Sequence, residues 1–262
     1  MGFQPLTGIK STIMKTLSLF LTIITITQLG LLRLNAQVAS SNEIKALDTR
    51  DMQLADTEIQ YRKNLDILVF QMEVKGKAGA TTPKPAGQLH GAPVLGYVFP
   101  TTLSPSDVGF DDTGGILAFA VTSHPDFDDT PLWDEDNDRN YENDGKIFHT
   151  HWVVLVEDKR VEGGLSVKEF KKEDESVVLP PTNAGMPMYL DSPGFSVVLQ
   201  SNMLKVVVPA QRVNHQKSFN YDGVSAYMEV NTDDEKRPML GVYSVFDVQS
   251  GDLSLPYTIT NR

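Results

Sequence analysis

Cysteine is absent from the 262-residue chain. That excludes disulfides, thiolate metal sites, a thiol nucleophile and any cysteine-borne lipid anchor. Basic residues are scarce too, with 23 Lys plus Arg against 34 Asp plus Glu and a formal net charge of −11. Residues 1–37 hold Lys10, Lys15 and Arg33 but no acid, so the rest of the chain carries −14. A nucleic-acid binder needs a basic face to track phosphates, and this balance argues against one. It also gives little attraction to an anionic membrane surface. There is no Gly-x-Ser-x-Gly elbow, no His-Glu-x-x-His, no Walker loop and no Gly-x-Gly-x-x-Gly fingerprint. Sustained 3.6-residue periodicity is missing as well.

What the chain does contain is a hydrophobic content of 40%, enough for a packed core and too much for wholesale disorder. The longest apolar run lies near the N-terminus. Lys15 precedes Leu17–Leu32, and a polar stretch with Ala36 and Gln37 follows. A positive start, a short apolar centre and a small-residue exit predict a cleaved secretory signal over residues 1–37. The run is shorter than a membrane span and carries Ser18, Thr22, Thr25, Thr27 and Gln28. The expected mature chain has no membrane span and is exported, to the periplasm or outside a bacterial cell.

Residues 38–57 are polar without a clear period and are expected to form a flexible entry segment. From 58 to 262 the apolar runs are short, rich in Val, Ile, Phe and Tyr, and bounded by Gly, Pro, Asn and Asp, which is the pattern of strands. Strands are expected near 59–63, 65–75, 94–99, 115–122, 146–157, 165–170, 195–200, 203–209, 224–230, 240–248 and 253–260. Ser201-Asn202 predicts a hairpin between two of them, and the turn around Gly251 predicts a second. About ten strands joined mostly by turns imply an all-β fold, a single antiparallel β-sandwich or barrel-like domain with long loops. Gly76–Pro93 is one such loop.

Two clusters carry possible chemistry. Residues 126–146 hold nine acids against Arg139 and Lys146. Within them oxygen side chains alternate through Asp134, Asp136, Asp138, Asn140, Glu142 and Asp144. Hard cations take several oxygens, and alternate residues of a curled loop can point inward together, so this pattern is expected to bind Ca²⁺. It is not an EF-hand: starting at Asn140, position twelve is His151 rather than Glu. Trp133 and Tyr141 flank the run and are candidates for stacking on a sugar.

Directly after it comes Lys146-Ile-Phe-His-Thr-His-Trp-Val-Val-Leu-Val156. A period of two puts His149 and His151 on one face with Ile147, Val153 and Leu155, and puts Phe148, Thr150, Trp152, Val154 and Val156 on the other. Both faces are largely apolar, as in a strand covered on both sides. Imidazoles at i and i+2 can chelate one transition metal, Zn²⁺ or Cu²⁺, with His124 or His90 as the third ligand. Asp126 or Asp128 are candidates for a further ligand or a general base. His149-Thr-His-Trp152 is similar to the His-x-His-Trp of alpha-type carbonic anhydrases in those four residues. The later histidine such a site requires is not at hand, since the next is His215.

These features point first to an exported β protein that binds a divalent metal as a non-catalytic module, with a carbohydrate or small molecule as its possible ligand. The alternatives are an exported metalloenzyme built on His149, His151 and His124 or His90, and a carbohydrate-binding module.

Overall fold

The structure is a computed structural model and describes residues 39–83, 89–125, 139 and 147–262. The leader at 1–37 lies outside the described residues. The first described element, α1 (Ser41–Ala46), is a single short helix held by a reciprocal cap. Ser40 Oγ accepts from the Glu43 N–H, and the Glu43 carboxylate accepts from the Ser40 N–H at 2.7 Å. A 3₁₀ turn (Arg50–Met52) leads into β1 (Leu54–Arg62). Of residues 38–57, expected as a flexible entry, the described 39–57 carry a capped helix, a turn with buried Asp51 and Met52, and the first residues of a strand. The sequence shows no period there because each piece is too short to display one.

Thirteen further strands follow among the described residues. They are β2 (Ile67–Val74), β3 (Pro93–Pro100), β4 (Ile116–Ser123), β5 (His149–Glu157), β6 (Leu165–Val167), β7 (Leu190–Asp191), β8 (Val197–Gln200), β9 (Met203–Pro209), β10 (Asn220–Tyr221), β11 (Val224–Val230), β12 (Leu240–Val248), β13 (Tyr257–Thr258) and β14 (Thr260–Asn261). One sheet runs β14-β1-β2-β9-β8, and β10 pairs with β13. A second sheet runs β4-β3-β11-β12-β6-β5-β7, and β4 also pairs with β5, so six of its strands close into a barrel. The expected all-β class thus takes the form of several sheets, one of them closed. Pairing is antiparallel except between β1 and β14. Closure removes the sheet edges that an open sandwich would leave.

Side-chain alternation explains how the layers stack. Leu95, Tyr97 and Phe99 of β3, Leu117, Phe119 and Val121 of β4, and Trp152 and Val154 of β5 face outward from the barrel. They join Ile59, Leu68, Phe70, Met72, Leu204 and Val206 of the five-stranded sheet in one apolar cluster. The opposite face of the same barrel strands supplies a second cluster inside it, including Val94, Ala120, Val153, Val224, Ala226, Met228 and Val242. Strands buried on both faces read as nearly continuous apolar runs.

The thinnest seam of the barrel is β6 on β12, where only Gly241 and Ser166 are in register. Gly163 closes it: its N–H donates to Val242 O at 3.0 Å, and a Cβ there would stand 2.4 Å from the same oxygen. Arg160 bridges Asp158 and Glu169 beside this seam. Hydrogen bonding to the Arg160 guanidinium holds the Asp158 carboxyl down at about 2.

The Ser201-Asn202 hairpin is present, with Gln200 opposite Met203. The hairpin expected around Gly251 is not. After Ser250 the chain leaves β12, with Leu253 and Leu255 at positive φ, and β13 and β14 pair with β10 and β1 instead. The reason is local capture. Buried Asp222 accepts from both the Ser250 N–H, at 3.1 Å, and the Ser250 hydroxyl, turning the chain away from β12.

Candidate metal centre

β4 and β5 are adjacent and antiparallel, with Thr122 opposite His149 and Ala120 opposite His151. Even-numbered residues of β4 and odd-numbered residues of β5 therefore face the barrel interior. His124 follows directly on β4, in phase with Thr122 and Ala120, and Pro125 after it disfavours a helical backbone at His124. The three imidazoles meet at one end of the barrel. Their ring centroids lie 4.5 Å (His124–His149), 4.7 Å (His149–His151) and 5.8 Å (His124–His151) apart. One ligand nitrogen from each lies within 4.8 Å of the others. Nitrogens around a tetrahedral zinc at ~2.1 Å stand roughly 3.4 Å apart, a spacing that small rotations of these side chains reach. All three are buried, at 3%, 4% and 2% exposure for His124, His149 and His151.

The hydrogen bonds behind the rings set their tautomers. His124 Nδ1 lies 2.8 Å from Pro125 O, and His149 Nδ1 lies 2.7 Å from Ile147 O. A carbonyl only accepts, so each Nδ1 carries the proton. In the neutral ring Nε2 then keeps its lone pair. His151 Nδ1 pairs with Ser192 Oγ at 3.0 Å, and Ser192 is fixed by its own N–H bond to Thr182 O. β7, paired to β5 at Trp152 and Val153, delivers Ser192 to that position. His151 Nε2 is buried with no hydrogen-bond partner. Burial, and then the neighbouring His149 and His124 rings, hold the His151 imidazole well below its ordinary value, which keeps it in the neutral, ligating form. Outer partners on the far ring nitrogen, convergent near nitrogens and a neutral His151 ring are compatible with a transition-metal ion. The described residues thus contain a buried histidine cluster capable of coordinating a metal ion.

The other strand face behaves as its alternation predicts. Trp152 packs on Phe119 and Phe70, at 4.6 and 6.3 Å between centroids, and Thr150 Oγ1 accepts from the Phe195 N–H.

Of the two candidates for a third ligand, His124 joins the pair. His90 does not: its Nδ1 accepts from the Thr232 N–H at 3.1 Å, beyond the cluster. The carbonic-anhydrase-like tetrapeptide looks downstream for its partner histidine, whereas here the partner lies upstream, directly after β4. Asp126, Asp128, the calcium candidates Asp134, Asp136, Asp138, Asn140, Glu142 and Asp144, and the stacking candidates Trp133 and Tyr141 lie outside the described residues. Their segment joins the end of β4 to the start of β5 in sequence, so a histidine of the cluster stands close to each of its ends. Ser192 and Thr122 went unnoticed in the sequence. Each is an ordinary hydroxyl in a strand-like context and gains meaning only from the neighbouring strand.

No family model, curated protein or solved structure matches the chain. Among the described residues no helix is long and apolar enough to cross a membrane.

Proposed function

We propose that this protein binds a divalent transition metal, Zn²⁺ or Cu²⁺, through His124, His149 and His151. The observation that supports this best is the buried His151 Nε2 without a partner, set among two further imidazoles whose Nδ1 atoms are engaged by carbonyls. A buried polar atom without a partner costs about 1–3 kcal/mol, and a metal removes that cost. Among the described residues three ligands converge, which leaves a fourth position for water or another small molecule, as in catalytic rather than closed structural sites. The leader at 17–32 supports export, which we retain as part of the proposal.

The test is elemental mass spectrometry on untagged protein after gel filtration, beside a His149→Ala/His151→Ala double variant. Stoichiometric zinc or copper in the parent and none in the variant is the expected result. A parent that takes up neither metal on addition overturns the proposal. Calcium in the acidic segment is a separate reading, supported by the alternation from Asp134 to Asp144. On that reading calcium persists in the double variant.

A further inference from the structure

The barrel interior is not filled. A cavity of about 60 Å³ runs from the histidine end toward Pro100, Val245 and Leu253. That is several times the roughly 10–15 Å³ that one water needs. Among the described residues its walls are apolar except for Thr122, His124 and His151, all at the histidine end. Thr122 is 4% exposed, and its Oγ1 has no hydrogen-bond partner. A hydroxyl and an imidazole nitrogen, both buried and both without partners, therefore sit together at the polar end of an otherwise greasy chamber. Small side chains keep the space open. Ala120 and Ala226 line it, and Gly96 on β3 lacks the Cβ that would stand 2.9 Å from Met228 Cε. Met228, itself in the wall, is a flexible thioether that can adjust to an occupant.

Resting on the metal reading above, we infer that this chamber takes a small monocarboxylate with a compact hydrocarbon body. One carboxylate oxygen fills the fourth position on the metal, the other accepts from the Thr122 hydroxyl, and the hydrocarbon lies among Val94, Ala120, Val153, Ala226 and Met228. The charge argument is direct. Among the described residues the three neutral imidazoles bring no negative charge to offset the metal's two positive charges inside low-dielectric walls, where an anionic donor is favoured far more than in water. The shape argument is that the apolar walls reward carbon: each buried methylene tightens binding by roughly three- to fourfold. Hydroxide satisfies the charge but leaves the apolar chamber unused.

The experiment uses the full chain loaded with Co²⁺, whose visible absorption changes when a ligand enters its coordination sphere. Acetate, isobutyrate and isobutanol are titrated into it. Isobutyrate is expected to give a saturable spectral change and to bind about tenfold tighter than acetate, from its two extra carbons. Isobutanol is expected to give none in the same range. Ala226→Leu, which fills the chamber away from the ligands, should keep one Co²⁺ per chain and lose the preference of isobutyrate over acetate. Thr122→Val should keep the metal and weaken both carboxylates by about tenfold.

Failure to bind Co²⁺, Zn²⁺ or Cu²⁺ removes the metal reading and this inference with it. Stoichiometric Co²⁺ with no response to any probe overturns the inference alone, because the fourth position is then closed to exogenous carboxylates. So does an Ala226→Leu variant that keeps the preference for isobutyrate.

Discussion

His151 shows how one residue can be both costly and useful. Its ring is buried against two other imidazoles, so protonating it in the folded state is resisted first by desolvation and then by its neighbours. The unfolded chain protonates the same ring near the ordinary value of 6.5 and so binds more protons in the acid range. The contribution is fully present above about 6.5 and is lost as pH falls below that value. For metal-stripped protein, the urea midpoint is expected to drop between about pH 7.5 and about pH 5.5, and His151→Gln should flatten that dependence. Ser192 acts one shell further out, by fixing the ring it touches. Ser192→Ala is expected to weaken zinc binding by roughly ten- to a hundredfold without altering the circular dichroism spectrum. A competition titration against a chromogenic chelator measures it, and an unchanged affinity would mean that the hydroxyl does not orient the ring.

At the scale of the element, β5 serves two structures at once. Its odd residues belong to the histidine cluster and the barrel interior. Its even residues belong to the layer between the barrel and the five-stranded sheet. Trp152 is among the largest side chains fully buried in that layer. Trp152→Ala should cost about 3–5 kcal/mol in chemical denaturation. Because its ring points away from the histidines, zinc stoichiometry at low temperature should survive. Joint loss of stability and metal would show that the two faces are coupled through the strand.

For the whole molecule, a metal held as proposed by His124, His149 and His151 would bridge the end of β4 and the start of β5 and so support the closure of the barrel. Binding to the folded state alone adds stability in proportion to the logarithm of metal concentration, about 2.7 kcal/mol at a hundredfold excess over Kd. Zinc is expected to raise Tm and a chelator to lower it. The His149→Ala/His151→Ala variant should melt at one temperature with or without either. A parent whose Tm ignores both additions would show that no metal stabilises this fold.

Local chemistry alone determined the strand-rich class, the Ser201-Asn202 hairpin, and the two faces of residues 147–156. Each follows from the period of two or from turn residues, which need no distant neighbour to be read. The same local view could pair His149 with His151, because i and i+2 share a face in any extended strand. It could not choose between His124 and His90, since both are single histidines beside a loop. That choice came from the register of β4 on β5, a pairing across the residues that separate the two strands. Barrel closure, the partnering of β13 and β14 with β10 and β1, and the placing of Ser192 and Thr122 beside the imidazoles were also decided by tertiary structure. These depend on which strand lies next to which, and on buried groups such as Asp222 that redirect the chain. A hydroxyl or a histidine carries no mark of its neighbours until the sheet has closed around it.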